Sequence, residues 1–327
     1  MSRSRARFLF LGTGTSEGIP CVSCLTQPEP RTSCPVCWSA HSEPGSRNRR
    51  RNTGAIIEVP AAPGGSRSRS LAIDCGKMWW ESVLTSFPSS GFRCLDAMLI
   101  THDHADAVLG IDDLRDFTKN MKEHTGLTIF ANQPTLERIK GIFPYLFPAA
   151  EASADAPKTN GGVADIKWQT FADGSSFEPL PGVVCTPFNV AHGGCTNMSV
   201  FRIGSLAYIS DVSSFPEGSR RYLRGAKHVV LDALQPAGKH PSHITMEEAA
   251  EEVRNGFGIG LVPEEVWFVG MNHRIDHERA NESLSQQNLP TKVACAYDGL
   301  EIAIELYDHR GDIAEEAKDE KSHSPCE

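Results

Sequence analysis

The stretch Thr101-His102-Asp103-His104-Ala105-Asp106 places a dense cluster of ionisable side chains directly after a short apolar run, Ala97 to Ile100. The end of a strand has no structural need for such a cluster. Imidazole and carboxylate groups are ligands for Zn²⁺, Mn²⁺ or Fe, and a loop after a rigid strand can direct His102 and His104 at one ion and Asp106 at a neighbouring ion. The stretch therefore predicts a metal centre rather than a capped surface turn.

Further ionisable side chains share this position just beyond an apolar run: His192, Asp211 and His273. Taken singly, each is an ordinary polar residue at the end of a strand. Taken together, they supply the ligands that the first cluster cannot provide by itself.

The rest of the chain alternates apolar or β-branched runs with polar turns. Phe8 to Leu11 predicts a strand, and Ala55 to Val59 with Leu71 to Ile73 predicts a hairpin. Met246 to Arg254 predicts a helix with Thr245 as its N-cap. Strands dominate both halves with helices outside them, which favours an α/β sandwich in a single domain.

Composition excludes several classes of protein. The chain has 327 residues, 40% of them hydrophobic, and a formal net charge of -9, which argues against nonspecific binding to nucleic acid. The absence of a long apolar run and of a secretion signal predicts a cytoplasmic or nuclear protein without a membrane partner. We expect a domain over residues 8–308, with a disordered basic N-terminus (1–7) and a disordered acidic tail (309–327).

The ten cysteines are better read as thiols and metal ligands than as a disulfide framework. Cys21, Cys24, Cys34 and Cys37 form two CxxC pairs separated by nine residues, and this spacing alone predicts a Cys₄ structural zinc site in a loop of about residues 20–40. The loop is too short to form a core, so a metal would substitute for packing.

The ordered ligands resemble the metallo-β-lactamase superfamily, whose HxHxDH signature, later His, bridging Asp and final His recur here over about residues 8–305. Within it, Leu11 to Ser16, the cysteine cluster and Thr101 to Asp106 resemble the PhnP-type phosphodiesterases, which act on 5-phosphoribosyl 1,2-cyclic phosphate. Ala107 to Arg115 resembles a eukaryotic branch of that group. The resemblance implies an αββα four-layer sandwich.

The resemblance also implies a two-ion catalytic site. In the family, the matching positions hold the ions as follows: His102, His104 and His192 on the first, Asp106 and His273 on the second, and Asp211 bridging. The family motif ends Asp-His, but here Ala107 follows Asp106. We therefore expect the second ion to bind more weakly, with Mn²⁺ less disfavoured than in a site rich in histidine.

The family resemblance changes the expected ligands of the structural zinc. PhnP-type enzymes use three cysteines and a histidine just downstream of the last catalytic His. The matching residues here are Cys24, Cys34, Cys37 and His277, which leaves Cys21 outside the site.

Two ions about 4 Å apart can generate hydroxide near neutral pH and neutralise a phosphoryl oxygen. Asp211 would orient the hydroxide, and a separate group must protonate the leaving alkoxide. His243 is the candidate, because His243-Ile244-Thr245 resembles the His-x-Thr element of related phosphodiesterases; His240 is a weaker one. The alternative for His243 is an ordinary polar residue near a helix cap.

The predicted function is hydrolysis of a small cyclic or linear phosphodiester, with a homodimer as the candidate assembly. His192 and Asp211 are only 19 positions apart, which leaves no room for the substrate arm that ribonuclease Z carries there. A ribonuclease Z-like nuclease and a glyoxalase II-like thioester hydrolase remain as alternatives, although glyoxalase II lacks the cysteine cluster. A noncatalytic zinc-binding scaffold is a third, but it would be expected to lose more ligands than one.

Overall fold

The computed structural model describes residues 4–61, 65, 67–120, 126–147, 164–195 and 197–314. Within these ranges the chain forms fourteen β-strands: β1 Ser4–Gly12, β2 Gly54–Val59, β3 Arg69–Ile73, β4 Ala97–Leu99, β5 Leu127–Asn132, β6 Ile166–Phe171, β7 Phe177–Leu180, β8 Val183–Asn189, β9 Ser199–Ile203, β10 Leu206–Ile209, β11 His228–Asp232, β12 Glu265–Val269, β13 Lys292–Cys295 and β14 Glu301–Leu306.

Helices connect these strands: α1 Val22–Leu25, α2 Pro30–Ser33, α3 Pro35–Ser42, α4 Trp79–Ser90, α5 Ala105–Val108, α6 Arg115–Lys119, α7 Gln133–Ile142, α8 Met246–Arg254, α9 His277–Ser285 and α10 Arg310–Ala314. The predicted N-cap of α8 is confirmed. The Thr245 hydroxyl accepts from the Glu248 backbone N–H (3.3 Å), and the Glu248 carboxylate accepts from the Thr245 backbone N–H (3.0 Å). This capping box fixes where α8 begins.

The strands form two sheets of seven, ordered β14-β1-β2-β3-β4-β5-β6 and β13-β12-β11-β10-β9-β8-β7. Each sheet is antiparallel on one side and parallel on the other. The predicted hairpin is confirmed, since β2 and β3 pair antiparallel. Strands β3 to β6 run parallel in the first sheet, and β10 to β13 run parallel in the second. The carboxyl ends of each parallel set therefore meet at one edge, where loops can carry function.

Three hydrophobic cores separate four layers, which confirms the αββα sandwich. The central core lies between the sheets, where Phe10 meets Trp267 with ring centroids 6.4 Å apart. A second core lies between the first sheet and helices such as α4, and a third lies between the other sheet and α8 and α9. The sheets are thus buried on both faces, which makes the strand ends rigid platforms.

The predicted boundaries of the domain were wrong at both ends. Residues 4–7 belong to β1, where Arg7 pairs with Glu58 (2.9 Å) and Glu301 (3.5 Å) instead of lying in a disordered arm. Residues 309–314 are also ordered, because His309 is buried with its Nε2 2.8 Å from the Thr186 hydroxyl. Residues 1–3 and 315–327, the rest of the predicted tails, lie outside the described residues.

A small lobe formed by α1, α2 and α3 packs beside the first layer. Its buried core contains only Ile19, Val36, Cys37 and Ala40, with other cysteines packed against it. Such a core is too small to hold three short helices in place by apolar packing alone. In the part of the chain that the structure describes, no helix has the length and apolar character needed to cross a bilayer.

Candidate metal centres

Strand ends bring most of the predicted catalytic residues to one edge of the sandwich. They are positioned as follows: His102 and His104 after β4, His192 after β8, Asp211 after β10, and His243 shortly before α8. Backbone hydrogen bonds lock these loops together. Ser199 N–H donates to Thr101 O (2.9 Å), and Ile244 N–H donates to Val212 O (2.7 Å).

Three imidazoles face one another at this edge. The ring centroids of His102, His104 and His192 lie 4.5 to 5.3 Å apart, and one nitrogen from each lies within 4.8 Å of the others. His102 and His192 are buried, whereas His104 is exposed. The structure therefore brings together the three residues predicted for the first ion, with an open side at His104.

Hydrogen bonds orient the two buried imidazoles. The Thr101 hydroxyl donates to the Asp74 carboxylate (2.9 Å), so it accepts from Nδ1–H of His102 (2.8 Å). Nε2 of His102 then carries a lone pair, and it is buried without a hydrogen-bond partner among the described residues. His192 Nδ1 donates to Ser242 O (2.8 Å), which leaves its Nε2 as a lone pair 3.3 Å from His104 Nδ1. Such outer partners are typical of histidines that bind a metal.

The electrostatics of the imidazoles favour neutral rings. Burial and the neighbouring imidazoles lower the pKa of His102 to about 3, and burial lowers the pKa of His192 as well. The lone pairs on Nε2 of the buried His102 and His192 are suited to bind a cation. The arrangement therefore fits a divalent ion, and the unpartnered Nε2 of His102 is the observation that shows this fit.

Two aspartates flank the imidazoles on different sides. Asp211 is buried and lies within ligand spacing of His192. Burial acts to raise the pKa of Asp211, but the surrounding imidazoles, His102 foremost, outweigh it and lower that pKa. Burial and the charge of Asp211 raise the pKa of Asp106, which accepts a hydrogen bond from Ser16. Gly76 permits this packing, since a Cβ there would lie 2.0 Å from the Asp106 carbonyl oxygen.

His243 forms a pair with Asp232, the last residue of β11. The His243 Nδ1 lies 2.7 Å from Asp232 Oδ2 and 3.7 Å from Asp211 Oδ1. Burial acts to lower the pKa of His243, but the Asp232 carboxylate outweighs it and raises that pKa to about 9. Burial raises the pKa of Asp232 to about 7 despite this partner. His243 is thus held beside the imidazole centre, where the His-x-Thr resemblance predicts it.

The predicted role of His273 as a catalytic ligand was wrong. Its Nδ1 lies 3.2 Å from Cys24 Sγ and 3.4 Å from Cys34 Sγ, in the small lobe rather than among the imidazoles. Cys21, Cys24, Cys37 and His273 each offer a ligand atom within 4.8 Å of the others. The loop after β12 therefore turns its histidine towards the thiols.

The predicted role of His277 as a structural zinc ligand was also wrong. His277 is the first residue of α9, and its Nδ1 accepts from Arg50 Nη2 (3.1 Å) while its Nε2 lies 3.1 Å from Asn281 Nδ2. Arg50 is fully buried and also donates to Thr13 Oγ1 and Ala296 O, each at 2.7 Å. His277 is needed there as a neutral acceptor for a buried guanidinium, because an unpaired buried charge is costly.

The thiol site has more donors than a tetrahedral ion uses. Cys21, Cys24, Cys37 and His273 form one ligand-spaced group, and Cys34 is a further donor because its Sγ lies 3.4 Å from His273 Nδ1. Cys21, which the CxxC spacing includes and the family resemblance leaves outside the site, lies within ligand spacing of Cys24, Cys37 and His273. Its Sγ, however, also faces Gly18 O (3.7 Å), and its backbone N–H donates to Cys37 Sγ (3.3 Å).

Sequence reasoning missed Asp232, Asp74 and Ser16. Asp232 ends a strand just as Asp211 follows one, so the same strand-end rule applied to β11 would have found it. Ser16 ends the stretch Leu11 to Ser16 that carries part of the family resemblance. Asp74 directly follows β3, so the strand-end rule would have found it too, but its hydrogen bond with Thr101 across the parallel pair of β3 and β4 could not be predicted from a local pattern.

Comparison with known proteins shows which superfamily has this architecture. A family model described as a beta-lactamase superfamily domain matches residues 69–256, more than half of the chain. The chain belongs to the beta-lactamase superfamily. Its two packed sheets are those of the metallo-β-lactamase fold, which is the fold of a family of metal-dependent hydrolases.

Individual relatives resemble this superfamily member to different extents. A PhnP-family diphosphatase aligns at a TM-score of 0.72 with 27% identity, over 94% of this chain and 100% of that one. Zn²⁺-bound PqqB from Methylobacterium extorquens aligns at 0.64 with 19% identity, over 90% and 99% of the two chains, which shows the fold alone. An octanoyltransferase of Porphyromonas gingivalis (strain ATCC BAA-308 / W83) is 27% identical over 307 residues, 91% of this chain. The chain spans only 52% of that protein.

Proposed function

We propose that this chain is a metal-dependent phosphodiesterase that hydrolyses a small phosphodiester, such as a ribosyl cyclic phosphate. The observation that carries the proposal is the set of three converging imidazoles, two of them with a fixed tautomer, beside a buried aspartate and a hydrogen-bonded histidine. A site that only bound metal for stability would have no need for the open side at His104.

The ion is proposed to bind at His102, His104, His192 and Asp211, as Zn²⁺ or Mn²⁺. A divalent ion held there would supply a nucleophile from water near neutral pH and neutralise charge on a phosphoryl oxygen. The protein orients the site through Thr101 and Ser242, which fix His102 and His192. In this proposal Asp211 also positions the attacking water.

His243 is proposed to donate a proton to the leaving oxygen. Asp232 takes the hydrogen bond of Nδ1, so Nε2 of the same ring is the atom that can donate to a substrate. Asp232 acts through His243 and is therefore a positioning residue. His240, the weaker candidate, is exposed, and its ring centroid lies 5.2 Å from that of His243.

A structural zinc ion is proposed for the thiol site, with His273 in place of the predicted His277. Thiolate and imidazole donors in a closed group of four are typical of structural zinc. This ion would fasten the small lobe to the loop after β12.

A small substrate fits this chain better than a nucleic acid. The net charge of -9 disfavours a long polyanion, and the PhnP-family neighbour is named a diphosphatase. The P. gingivalis relative is named an octanoyltransferase, but this chain matches only about half of that protein.

A substrate panel tests the proposal. The purified protein, stripped with a chelator and reloaded with Zn²⁺ or Mn²⁺, is assayed on five substrates. They are bis(p-nitrophenyl) phosphate, ribosyl 1,2-cyclic phosphate, a linear diphosphate ester, a glutathione thioester and an octanoyl thioester. We expect metal-dependent turnover of the cyclic phosphate with the highest kcat/KM. Turnover of a thioester alone would replace the proposal with the glyoxalase II-like alternative, and no turnover with a filled site would favour the scaffold.

A further inference from the structure

The side of the catalytic centre away from the three imidazoles has lost the donors for a second ion. The residue after Asp106 is Ala107, whose methyl group is buried in the core between the first sheet and α4. The histidine expected from the loop after β12, His273, contacts the thiols instead. Neither position 107 nor His273 therefore supplies the imidazole that a second ion would need.

The remaining carboxylate on that side does not join a ligand group. Among the described residues, the ligand-spaced groups at this edge are His102/His104/His192, Asp103/His104/Cys195 and His192/Asp211/His243. Asp106 is in none of them, and it accepts a hydrogen bond from Ser16. Asp106 and Asp211 alone would give an ion two protein ligands, fewer than the three that an open catalytic site uses.

His243 does not complete that set through the ring nitrogen that lies nearest to Asp211. The ring nitrogen nearest to Asp211 is Nδ1, at 3.7 Å, and Nδ1 already has Asp232 as its hydrogen-bond partner at 2.7 Å. A ring nitrogen has a single in-plane site, so the same atom cannot also bind a metal. Nδ1 of His243 thus faces the carboxylates of two buried acids, Asp211 and Asp232.

The glycine after β12 makes room for this arrangement. Gly270 has φ +72°, and a Cβ there would lie 2.6 Å from Asp232 Oδ1. Asp232 is fully buried, and its Oδ2 accepts from His243 and from the Val212 backbone N–H (3.1 Å). Its Oδ1 faces Gly270 and has no hydrogen-bond partner within the part of the chain that the structure describes. A side chain at position 270, ligating or not, would displace Asp232 and so release His243.

We infer that the catalytic centre of this chain holds a single metal ion, at His102, His104, His192 and Asp211, and that the His243–Asp232 pair occupies the side where a second ion would bind. The inference deepens the proposed function and rests on it for one point, that the imidazole site binds a metal. The sequence predicted a weakly bound second ion, whereas the inference is that no second ion binds.

Counting metal ions tests the inference without reference to activity. The full-length protein is equilibrated by dialysis against buffer that holds free Zn²⁺ or Mn²⁺ in excess over the protein. Bound metal is measured by plasma mass spectrometry as the difference from that buffer, against protein concentration from amino-acid analysis. We expect two ions per chain, one at the thiols and one at the imidazoles. Cys24→Ser and His104→Ala should each reduce the count to one, whereas Asp106→Asn and His243→Asn should leave it at two.

An independent readout covers variants that fail to fold. Electron paramagnetic resonance of the wild-type protein loaded with Mn²⁺ should show an isolated ion without exchange coupling. A third ion per chain, or an exchange-coupled Mn²⁺ pair, would overturn the inference and leave the proposed function intact. The variant that loses the third ion, Asp106→Asn or Cys195→Ala, would then locate it. A count of one that Cys24→Ser reduces to zero would mean that the imidazoles bind no ion, and the proposed function itself would fail.

Discussion

The imidazole centre and the thiol site differ in what holds their side chains in place. The imidazole centre lies at the ends of β4, β8 and β10, whose strands are buried between large hydrophobic cores. The thiol site lies in three short helices with a core of four buried residues. The scaffold of the first is folded without help from a ligand, whereas the second has little else to hold it.

The difference separates two uses of a metal ion. Where packing already fixes the ligands, removing the ion should abolish turnover and leave the free energy of unfolding almost unchanged. Where the ion replaces packing, its binding free energy is part of the folding free energy. The two sites meet at the loop after β12, which carries His273 to the thiols and Gly270 to the His243–Asp232 pair.

The largest expected effect is on turnover when an imidazole is removed. His104→Ala should lower phosphodiester kcat/KM by more than about 100-fold, since even outer partners of a metal ligand are worth about 10 to 100-fold. The free energy of unfolding should change by less than about 0.5 kcal/mol, because His104 is exposed.

His41→Ala is the matched control for this variant. His41 is another exposed histidine, and it lies outside both clusters. It should change neither quantity. Full turnover by His104→Ala, with its metal content unchanged, would refute the placement of the catalytic ion.

The next effect is on stability when a thiol is removed. Cys24→Ser should lower the free energy of unfolding by on the order of 3 kcal/mol, because the ion substitutes for packing in the small lobe. Thermal unfolding followed by calorimetry should show Tm lower by roughly 6 to 12 °C. The ion at the imidazoles and most of the turnover per folded molecule should remain. Loss of turnover without loss of stability would reverse the contrast between the two sites.

A matched pair of cysteine variants sharpens this result. We expect Cys34→Ser to release the structural ion, because Cys34 Sγ already contacts His273 Nδ1 as Cys24 Sγ does. Cys21→Ser should retain the ion and lower Tm little, since the contact of Cys21 with Cys37 is through its backbone N–H. Zinc content and Tm of the two proteins decide the fourth ligand, and the opposite ranking would assign it to Cys21.

Much of the imidazole centre could be predicted from the sequence because it depends on a local rule. A side chain just after a buried strand lies at the edge of the sheet, so His102, His104, His192 and Asp211 could be placed without knowing how the sheets pack. The pattern of apolar runs located nine of the strands: β1 to β4, and β8 to β12 through the runs at 183–190, 199–203, 206–209, 228–231 and 266–269. It missed β5, β6, β7, β13 and β14, and with them the pairing of β1 and β14 that orders residues 4–7.

The thiol site could be predicted only in part, because it depends on a turn. His273 and His277 both follow β12, and spacing alone cannot say which one reaches the thiols. The choice is made by α9, whose first residue is His277: its N-cap Asp276 accepts from Arg279 N–H (3.1 Å), and His277 N–H donates to Asn48 Oδ1 (2.8 Å). These contacts turn His277 towards the buried Arg50, a residue 227 positions away in sequence.

The smallest expected effect concerns this corrected residue and separates the two histidines by pH. Burial and the charges of Arg50 and Arg47 lower the pKa of His277 to about 4, and Asp276 offsets this only in part. The unfolded chain, with an ordinary histidine pKa near 6.5, binds the proton first as the pH falls. The contribution of His277 to stability is therefore intact above about pH 6.5 and is lost progressively towards pH 4.

Urea unfolding at pH 7 and pH 5, with zinc content checked at both, measures this loss. Wild-type protein should lose about 1 to 2 kcal/mol more between these pH values than His277→Asn, since each unit of pKa shift corresponds to about 1.4 kcal/mol. Asparagine keeps an acceptor for Arg50 near the position of Nδ1 but does not titrate. Because the acid sensitivity of the thiols is common to both proteins, the difference between them isolates His277. His277→Asn should also keep both ions at pH 7, whereas His273→Ala should lose the structural one; release of zinc by His277→Asn would return His277 to the thiol site.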